Sequence, residues 1–280
     1  KSGSIIKGPN ISPIYYYDVS SKFLEDRAKS HITLNTYNVS FKFKNSENGI
    51  HTFNISEEAG QLIGIMGGSG VGKSTLLNVL NGKIPPDEGK IIINGYDLHS
   101  KSEEIKGLIG YVPQEDLLIE ELTVYQNLQY NARLCFKDLD EEAIHNNVME
   151  TLEVLNLTEI KDLKVGSSLN KYISGGQRKR LNIGLELMRE PYILFIDEPT
   201  TGLHFHDINK LINSFNALVE KGHSVIVIEH NPEIIKSADW VIDLGPEGGK
   251  HGGKVVFEGT PESLARAETH TGLFLKEKLD

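Results

Sequence analysis

The sequence contains only one cysteine among its 280 residues. Cys135 therefore excludes an intramolecular disulfide and any Cys-rich zinc site, so we expect no zinc and a reducing compartment. The longest apolar runs, such as ILFI at 193–196 and VIVI at 225–228, are far too short to cross a bilayer. Positive charge is also scarce, and the net charge of −10 disfavours a broad electrostatic contact with DNA or anionic lipid.

Hydrophobic periodicity divides the chain into three parts. Alternating residues at 32–43 predict a half-exposed strand with a partner at 51–56, and QLIGIMG at 61–67 predicts a buried strand. Helical periodicity dominates from about 123 to 190, after which strands return. We therefore predict an α/β fold with a mixed sheet and a helical subdomain at about 115–190. The polar, irregular residues 1–30 are expected to form a linker or leading arm before a domain at 31–280.

The strongest chemical motif is GGSGVGKST at 67–75, which matches G-x-x-x-x-G-K-[ST] between a predicted strand and a predicted helix. Its glycines allow backbone N–H groups to turn inward and hold phosphate oxygens beside the positive end of the helix. Lys73 can reach the β and γ phosphates, and the Ser74 hydroxyl can complete a magnesium shell. A chance glycine loop is the alternative, but the strand–loop–helix order disfavours it. The predicted phosphate site consists of Gly67, Gly68, Ser69, Gly70, Val71, Gly72, Lys73, Ser74 and Thr75.

A second motif, ILFIDE at 193–198, ends a hydrophobic strand in two carboxylates. Asp197 is placed to bind magnesium, and Glu198 can polarise the attacking water. An acidic pair of this kind is more often structural when it stands alone. The preceding phosphate-binding motif reverses that preference.

A third motif, YISGGQRKR at 172–180, opens a helix with a hydroxyl and two glycines. It predicts a second phosphate-binding device, although an ordinary capped helix is the alternative. With Gln114 in GYVPQED and His230 in VIVIEHN, two such devices suggest a head-to-tail pair in which each subunit completes its neighbour's site. We expect the basic run 178–180 to be a solvated helix face, and GPEGGKHGG at 245–253 to be a surface turn.

In combination, these motifs resemble the nucleotide-binding domain of ABC ATPases over nearly all of residues 32–260. The resemblance implies a P-loop NTPase fold with an antiparallel β subdomain, binding of ATP with Mg²⁺, and dimerisation on ATP binding. It makes Gly67–Thr75 the Walker A loop, and Ser174, Gly175, Gly176 and Gln177 the signature. It also makes Gln114 the Q-loop glutamine, Asp197 the Walker B aspartate, Glu198 the catalytic glutamate and His230 the switch histidine.

The resemblance further implies that Glu198, His230 and Gln114 act in catalysis and that Ser74, Gln114 and Asp197 bind Mg²⁺. An aromatic ring from the first strand usually stacks on adenine in this family. Phe43 is the best-placed ring, with Phe41 or a plain core phenylalanine as alternatives.

Two parts of the chain resemble different groups within the superfamily. Residues 30–200 resemble G-type transporter ATPases and their bacterial relatives, through segments such as ISGGQRKRLNIGLELMREPYILFIDEPT. Residues 199–280 resemble the C-terminal lobe of UvrA, the DNA excision-repair protein, through PTTGLHFHDINKL and VIDLGPEGGKHGG. In UvrA-like proteins His204 is the expected residue, whereas transporters carry aspartate there. We therefore expect a hybrid joined near 197–202, engineered or recombined. A natural member of one family with an unusual tail is the alternative.

The function implied by the resemblance is that of an ABC transporter ATPase domain. It would hydrolyse Mg-ATP between two head-to-tail subunits and drive a membrane-spanning partner from the cytoplasmic, inner face of the membrane. One alternative is a soluble UvrA-like DNA-repair ATPase, with DNA as the less favoured partner. Another is an engineered hybrid that has no physiological cargo.

Overall fold

A computed structural model describes residues 5–8, 11–15, 33–58, 60–100, 105, 107–136, 138–167, 170 and 172–279. In chain order its strands are β1 Ile5–Gly8, β2 Ile11–Tyr15, β3 Thr33–Lys42, β4 Gly49–Phe53, β5 Ser56–Glu58, β6 Leu62–Gly67, β7 Glu88–Ile93, β8 Tyr96–Asp97, β9 Ile109–Val112, β10 Ile193–Asp197, β11 Ser224–Ile228, β12 Trp240–Gly245 and β13 Lys254–Gly259. Its helices are α1 Lys73–Leu80, α2 Val124–Cys135, α3 Glu141–Val154, α4 Gly175–Leu187, α5 Phe205–Glu220, α6 Pro232–Lys236, α7 Pro261–Leu264 and α8 His270–Leu279. No helix among the described residues has the length and apolar character needed to span a membrane.

The central sheet has six strands in the order β13-β12-β6-β11-β10-β9. All neighbours pair in parallel except β12 and β13, which are antiparallel. The continuous apolar runs at 193–196 and 225–228 are buried throughout, as expected for parallel strands covered on both faces. The carboxyl ends of β6, β10 and β11 consequently meet at one edge, where ligands bind in open α/β sheets.

A second, antiparallel sheet has the order β4-β3-β7-β8, with β5 also paired to β3. The single partner strand predicted at 51–56 is in fact divided into β4 and β5. Between them, the Thr36 hydroxyl accepts a hydrogen bond from the Ile55 backbone N–H at 2.7 Å, and the Thr36 N–H donates to the Ile55 carbonyl at 2.8 Å. These bonds anchor Ile55 outside the regular ladder, which explains the break.

Three helices, α2, α3 and α4, lie within the range predicted for a helical subdomain. Helix α2 begins with a capping box, in which the Thr123 hydroxyl accepts from the Gln126 N–H and the Gln126 side chain accepts from the Thr123 N–H. Helix α3 begins at Asp140, whose carboxylate accepts from the Ala143 N–H at 2.8 Å. Their apolar faces pack with α4 around buried residues that include Leu128, Val148, Leu152, Leu155 and Leu181.

The N-terminal segment differs from the irregular structure expected for residues 1–30. Strands β1 and β2 pair in antiparallel fashion, with Ile5 opposite Tyr15 and Gly8 opposite Ile11. The segments IIKG and ISPIY are too short to give a clear strand pattern in the sequence. The remainder of 1–30 lies outside the described residues, and its role as a linker stays a prediction.

Candidate active site

The phosphate-binding loop leaves the central strand β6 at Gly67 and enters helix α1 at Gly72. Gly67, Gly70 and Gly72 have φ values of 133°, 74° and 107°, in a region that favours glycine. A Cβ on Gly67 would lie 2.3 Å from the Leu244 carbonyl oxygen, so no other residue fits there. A Cβ added to Gly70 would meet no atom within 4 Å from any described residue beyond its two chain neighbours. The predicted loop therefore packs tightly on its inner side and is open on its outer side.

Lys73 is the first residue of α1, and its side chain folds back into the loop. Its ammonium donates to the carbonyl oxygens of Gly67 at 3.2 Å and Gly68 at 2.9 Å. Burial lowers the pKa of Lys73, while the charges of Glu198 and Asp197 oppose that change. The cation therefore lies between the loop and the carboxylates at the end of β10.

Asp197 and Glu198 stand where β10 ends. Glu198 has a φ of 42°, which is uncommon for a residue with a side chain. Its backbone N–H donates to the Ile228 carbonyl on the neighbouring strand at 3.1 Å. Burial raises the pKa of Asp197, as does the neighbouring Glu198, whereas the charges of Lys73, Lys179 and Lys83 lower it.

Two of the residues predicted to act in catalysis converge on the carboxylate of the third, Glu198. The Gln114 side-chain amide donates to Glu198 Oε2 at 3.2 Å. On the other side, His230 Nε2 lies 3.5 Å from Glu198 Oε1. Gln114 and His230 are exposed and Glu198 is partly exposed, so solvent reaches this cluster. Three segments distant in sequence thus meet at the edge of the sheet next to the phosphate-binding loop.

Glu229 is a buried carboxylate whose role the sequence analysis missed. It is only 2% exposed and accepts four hydrogen bonds. Two come from the Thr200 N–H and hydroxyl at 2.7 and 2.8 Å, and two from the His230 and Asn231 N–H groups at 2.9 and 3.1 Å. It therefore joins the segment after Glu198 to the segment that carries His230. An acidic residue that ends a fully apolar strand is the signal that could have identified it.

The basic run 178–180 was predicted as a solvated helix face, and this prediction is wrong. Arg178 is 7% exposed, with its guanidinium paired to Asp116 at 2.9 Å. Arg180 is 1% exposed, and burial lowers its pKa. Lys179 donates to the Gln114 backbone carbonyl. Asp116 lies 62 positions from Arg178, so local sequence carries no trace of this pairing.

The signature residues form the start of helix α4. The Ser174 hydroxyl accepts from the Gln177 N–H at 3.2 Å, and the Gln177 side chain accepts from the Ser174 N–H at 2.7 Å. Within one chain this stretch is therefore a capped helix, the alternative that the sequence left open. Ser174 is exposed, and among the described residues no hydrogen bond joins Ser174 or Gln177 to residues 67–75. Gly176 packs on Asp207, which would lie 2.5 Å from an added Cβ.

The glycine-rich loop 245–253 was predicted as a surface turn, and residues 246–249 and 251 are indeed exposed, while its buried end packs against the phosphate-binding loop. The Gly253 N–H donates to the Val71 carbonyl at 2.7 Å, and the Gly253 carbonyl accepts from the His51 N–H at 2.8 Å. A Cβ on Gly252 would lie 3.0 Å from the Val71 carbonyl oxygen. This loop therefore supports the Walker-type loop from behind.

The candidate adenine-stacking ring, Phe43, is 46% exposed at the end of the first long strand. Its ring meets Phe41 edge-to-face, with centroids 4.9 Å apart and planes at 81°. Phe41 is partly buried and packs on the core of the antiparallel sheet. The geometry leaves a face of Phe43 accessible, and its stacking on adenine stays a prediction.

The predicted magnesium ligands supply a hydroxyl, a carboxamide oxygen and a carboxylate. Hard oxygen donors of this kind suit Mg²⁺, which usually keeps further sites for waters and substrate phosphates. Gln114 uses its amide N–H₂ toward Glu198, so the amide oxygen is not engaged in that bond. The residues present thus fit Mg²⁺ with ATP. Within the described residues no cluster of three or more His, Cys, Asp and Glu side chains could hold a metal on its own.

Comparison with known proteins places these features in a family context. A family described as ABC transporter matches residues 50–201. The UvrABC system protein A of Agrobacterium fabrum is 54% identical over 122 residues, which are 42% of this chain and 12% of that protein. The corresponding protein of Streptomyces avermitilis is 48% identical over 149 residues, or 50% of this chain and 15% of that protein. The chain thus spans only a small fraction of these curated relatives.

Among solved structures, cbiO1 from Clostridium perfringens, described as part of the ABC transporter complex cbiONQ, matches with a TM-score of 0.74 and 25% identity. That match covers 88% of this chain and 94% of the other. Its extent shows that the sheets and helices together form an ABC-type, P-loop NTPase fold.

Proposed function

The chain belongs to the ABC transporter family, and on that premise we propose that it is a motor domain that hydrolyses ATP between two copies of itself and drives a membrane-spanning partner. ATP binding and ATPase activity follow from membership of the family. The observation that carries the proposal is the convergence of Gln114 and His230 on Glu198 beside Lys73.

Each side chain in this cluster has a separate task in the proposed reaction. Glu198 accepts a proton from the attacking water, and Gln114 and His230 hold its carboxylate in place. Lys73 exchanges its contacts with the Gly67 and Gly68 carbonyls for contacts with the β and γ phosphates. Ser74, Asp197 and Gln114 would hold Mg²⁺, and the ion would supply positive charge to neutralise the phosphates.

Dimerisation is proposed because the second phosphate device is separated from the first within one chain. Ser174 is exposed at the positive end of α4, where a helix terminus favours an anion. A second copy in head-to-tail orientation brings that terminus to the γ-phosphate held by the phosphate-binding loop. The two nucleotide sites are then both completed in trans.

A membrane partner is proposed from the surface beside Gln114. Leu117 and Ile119 follow the glutamine closely and are 66% and 52% exposed. Large exposed apolar side chains grouped in this way mark an interaction site more often than a bare surface. With this docking, the chain operates at the cytoplasmic, inner face of the membrane.

The test uses Glu198→Gln, which retains shape but removes the proton acceptor. We expect ATP hydrolysis to fall by about two orders of magnitude or more, and Mg-ATP to produce a stable dimer in light scattering. The matched control is Glu233→Gln, which changes an acidic side chain outside the cluster. A Glu198→Gln protein that stays monomeric in Mg-ATP and hydrolyses normally contradicts the proposal.

A second candidate, a DNA-repair ATPase, is favoured by the 54% identity to UvrABC system protein A. It is tested by fluorescence anisotropy with duplex DNA across a salt series, and by ATPase assays with and without that DNA. DNA-stimulated turnover, with affinity that falls steeply with salt, supports this candidate over the transporter proposal. Absence of both effects contradicts this candidate.

A further inference from the structure

A pocket of about 400 Å³ opens at the end of the central sheet far from the phosphate-binding loop. Trp240 lines it and is the first residue of β12, where it pairs with Ile63 near the beginning of β6. The phosphate-binding loop follows the other end of β6, and a six-residue strand spans roughly 20 Å. The pocket therefore lies apart from the ATP site.

The most unusual group in this pocket is Glu57 on β5. It is 8% exposed and makes no side-chain hydrogen bond or ion pair to any residue that the structure describes. Burial, together with the nearby charge of Glu258 on β13, raises the pKa of Glu57 to about 7. An unpaired carboxylate in such a position is unfavourable, so the pocket offers a strong acceptor without a partner.

The other lining groups define the chemistry of that partner. Glu258 supplies a second, exposed carboxylate, and Tyr37 and Trp240 supply aromatic rings. A metal ion is disfavoured, because among the described residues no set of three metal-ligating side chains comes together here or elsewhere. A guanidinium group suits the site better, since its planar donors pair with carboxylates and its face stacks on aromatic rings.

We propose that the pocket formed by Tyr37, Glu57, Trp240 and Glu258 binds an alkylguanidinium cation, independently of ATP. The volume is within the range of small-ligand pockets, and both carboxylates bear the charge opposite to that of the ligand. The ligand supplies the cation that the buried Glu57 carboxylate lacks.

The test exploits Trp240, which is the only tryptophan of the chain. Argininamide is titrated against the protein while tryptophan fluorescence is recorded, with the uncharged analogue citrullinamide as the ligand control. We expect a saturable change with argininamide alone.

The titratable groups lining the pocket are Tyr37 from β3, Glu57 from β5 and Glu258 from β13. Because Glu57 has a pKa of about 7, binding is expected to be about tenfold weaker at pH 6 than at pH 8.

Three variants decide whether this pocket is responsible. Glu57→Gln is expected to weaken argininamide binding at least tenfold, and Glu258→Gln to weaken it less. Glu47→Gln, which removes an exposed carboxylate in the turn between β3 and β4, is expected to bind normally. Unchanged affinity for ATP shows that each variant is folded. No saturable fluorescence change in the wild type at pH 8, or an equal response from Glu57→Gln, overturns the proposal.

A short arginine-containing peptide capped at both ends distinguishes the two sources of a guanidinium group. Binding as tight as that of argininamide indicates the side chain of a protein partner. Binding of argininamide alone indicates a small free cation. Either outcome supports the guanidinium site.

Discussion

Lys73 has a buried ammonium group, and a ligand can replace the hydrogen-bond partners of that group in the loop. Among the described residues its donors bond to the backbone carbonyls of Gly67 and Gly68, which are weaker acceptors than phosphate oxygens. Nucleotide binding therefore offers this buried cation a better partner than the free loop does.

We expect Lys73→Ala to weaken ATP binding by about ten- to a hundredfold, since a hydrogen bond to a charged group contributes roughly 1.5–3 kcal/mol. The measurement is equilibrium titration with a fluorescent ATP analogue in the presence of Mg²⁺. Lys90→Ala, on the exposed side of the antiparallel sheet, removes the same charge and serves as the control. Equal affinities for the two variants contradict the phosphate role of Lys73.

Glu57 gives a prediction about stability rather than about activity. Burial and the charge of Glu258 raise its pKa from 4.5 to about 7, so the folded protein binds this proton more tightly than the unfolded chain. The free energy of unfolding from this group is therefore highest below the unfolded pKa and falls as pH rises toward 7. The loss amounts to about 3 kcal/mol at most, because one pKa unit corresponds to about 1.4 kcal/mol.

Glu57→Gln removes that titration while retaining the shape of the side chain. We expect urea unfolding to show that the variant is more stable than the wild type at pH 8 and nearly equal to it at pH 5. Glu47→Gln, at an exposed site, is expected to follow the wild type at both pH values. A constant difference between Glu57→Gln and the wild type across pH would show that Glu57 is ionised at its ordinary pKa.

At the scale of elements, two glycine-rich loops pack back to back. The loop 245–253 contacts Val71 through the Gly253 N–H, while Gly67 approaches the Leu244 carbonyl at the end of β12. A conformational change in either loop must therefore displace the other. The close packing of the two loops is one reason why the second loop contains so many glycines.

Gly252→Ala tests this mechanical support. A Cβ there would lie 2.6 Å from the Glu247 carbonyl oxygen and 3.0 Å from that of Val71, so the loop must shift. We expect ATP affinity to fall several-fold, measured by the same titration as above. Gly245→Ala is the matched control, because its Cβ would make only an ordinary contact of 3.5 Å with Val256. Normal ATP binding by Gly252→Ala would mean that the two loops are mechanically independent.

The elements that the sequence predicted correctly are those whose pattern is local. Strands β6, β10 and β11 are continuous apolar runs, and the loop at 67–75 lies between strand and helix as its motif requires. The division of β4 from β5 was not predictable, because it depends on bonds between Thr36 and Ile55 across the sheet. A tertiary hydrogen bond of this kind leaves no periodic trace in the sequence.

The same distinction applies to the candidate site. Gln114, Glu198 and His230 could be chosen in advance because each stands in a short motif, and the structure brings them together. The contact of Lys179 with the Gln114 carbonyl could not be predicted, because its partner comes from another segment, and the same holds for the bonds from Thr200 to Glu229. These contacts form only in the folded protein, where the strand ends lie side by side.

At the scale of the whole molecule, the decisive question is whether one chain or two form a complete site. Ser174 caps its own helix through Gln177 and is exposed, while the phosphate-binding loop has an open outer side at Gly70. The phosphate-binding loop and the start of α4 are complementary in chemistry, since the loop holds phosphates and the helix offers its positive end. In a head-to-tail pair, each of the two sites is formed by the phosphate-binding loop of one chain and the start of α4 of the other.

This arrangement predicts rescue when two inactive proteins are mixed. Lys73→Ala breaks the phosphate-binding loop and Ser174→Ala breaks the signature, so each homodimer has two defective sites. In the mixed dimer both defects fall in the same site, and the other site contains an intact Lys73 and an intact Ser174. An equal mixture therefore regains about a quarter of the wild-type number of intact sites, if the three dimers form at random. We expect ATPase activity to appear on mixing and to rise with the square of protein concentration at low concentration.

Because Ser174→Ala also removes a helix cap, at a cost of about 1 kcal/mol, Thr123→Ala provides a control with the same loss at the other capping box. Thr123→Ala should remain active alone. If the mixture stays inactive while each variant is folded and dimerises with wild type, the site is not shared between subunits.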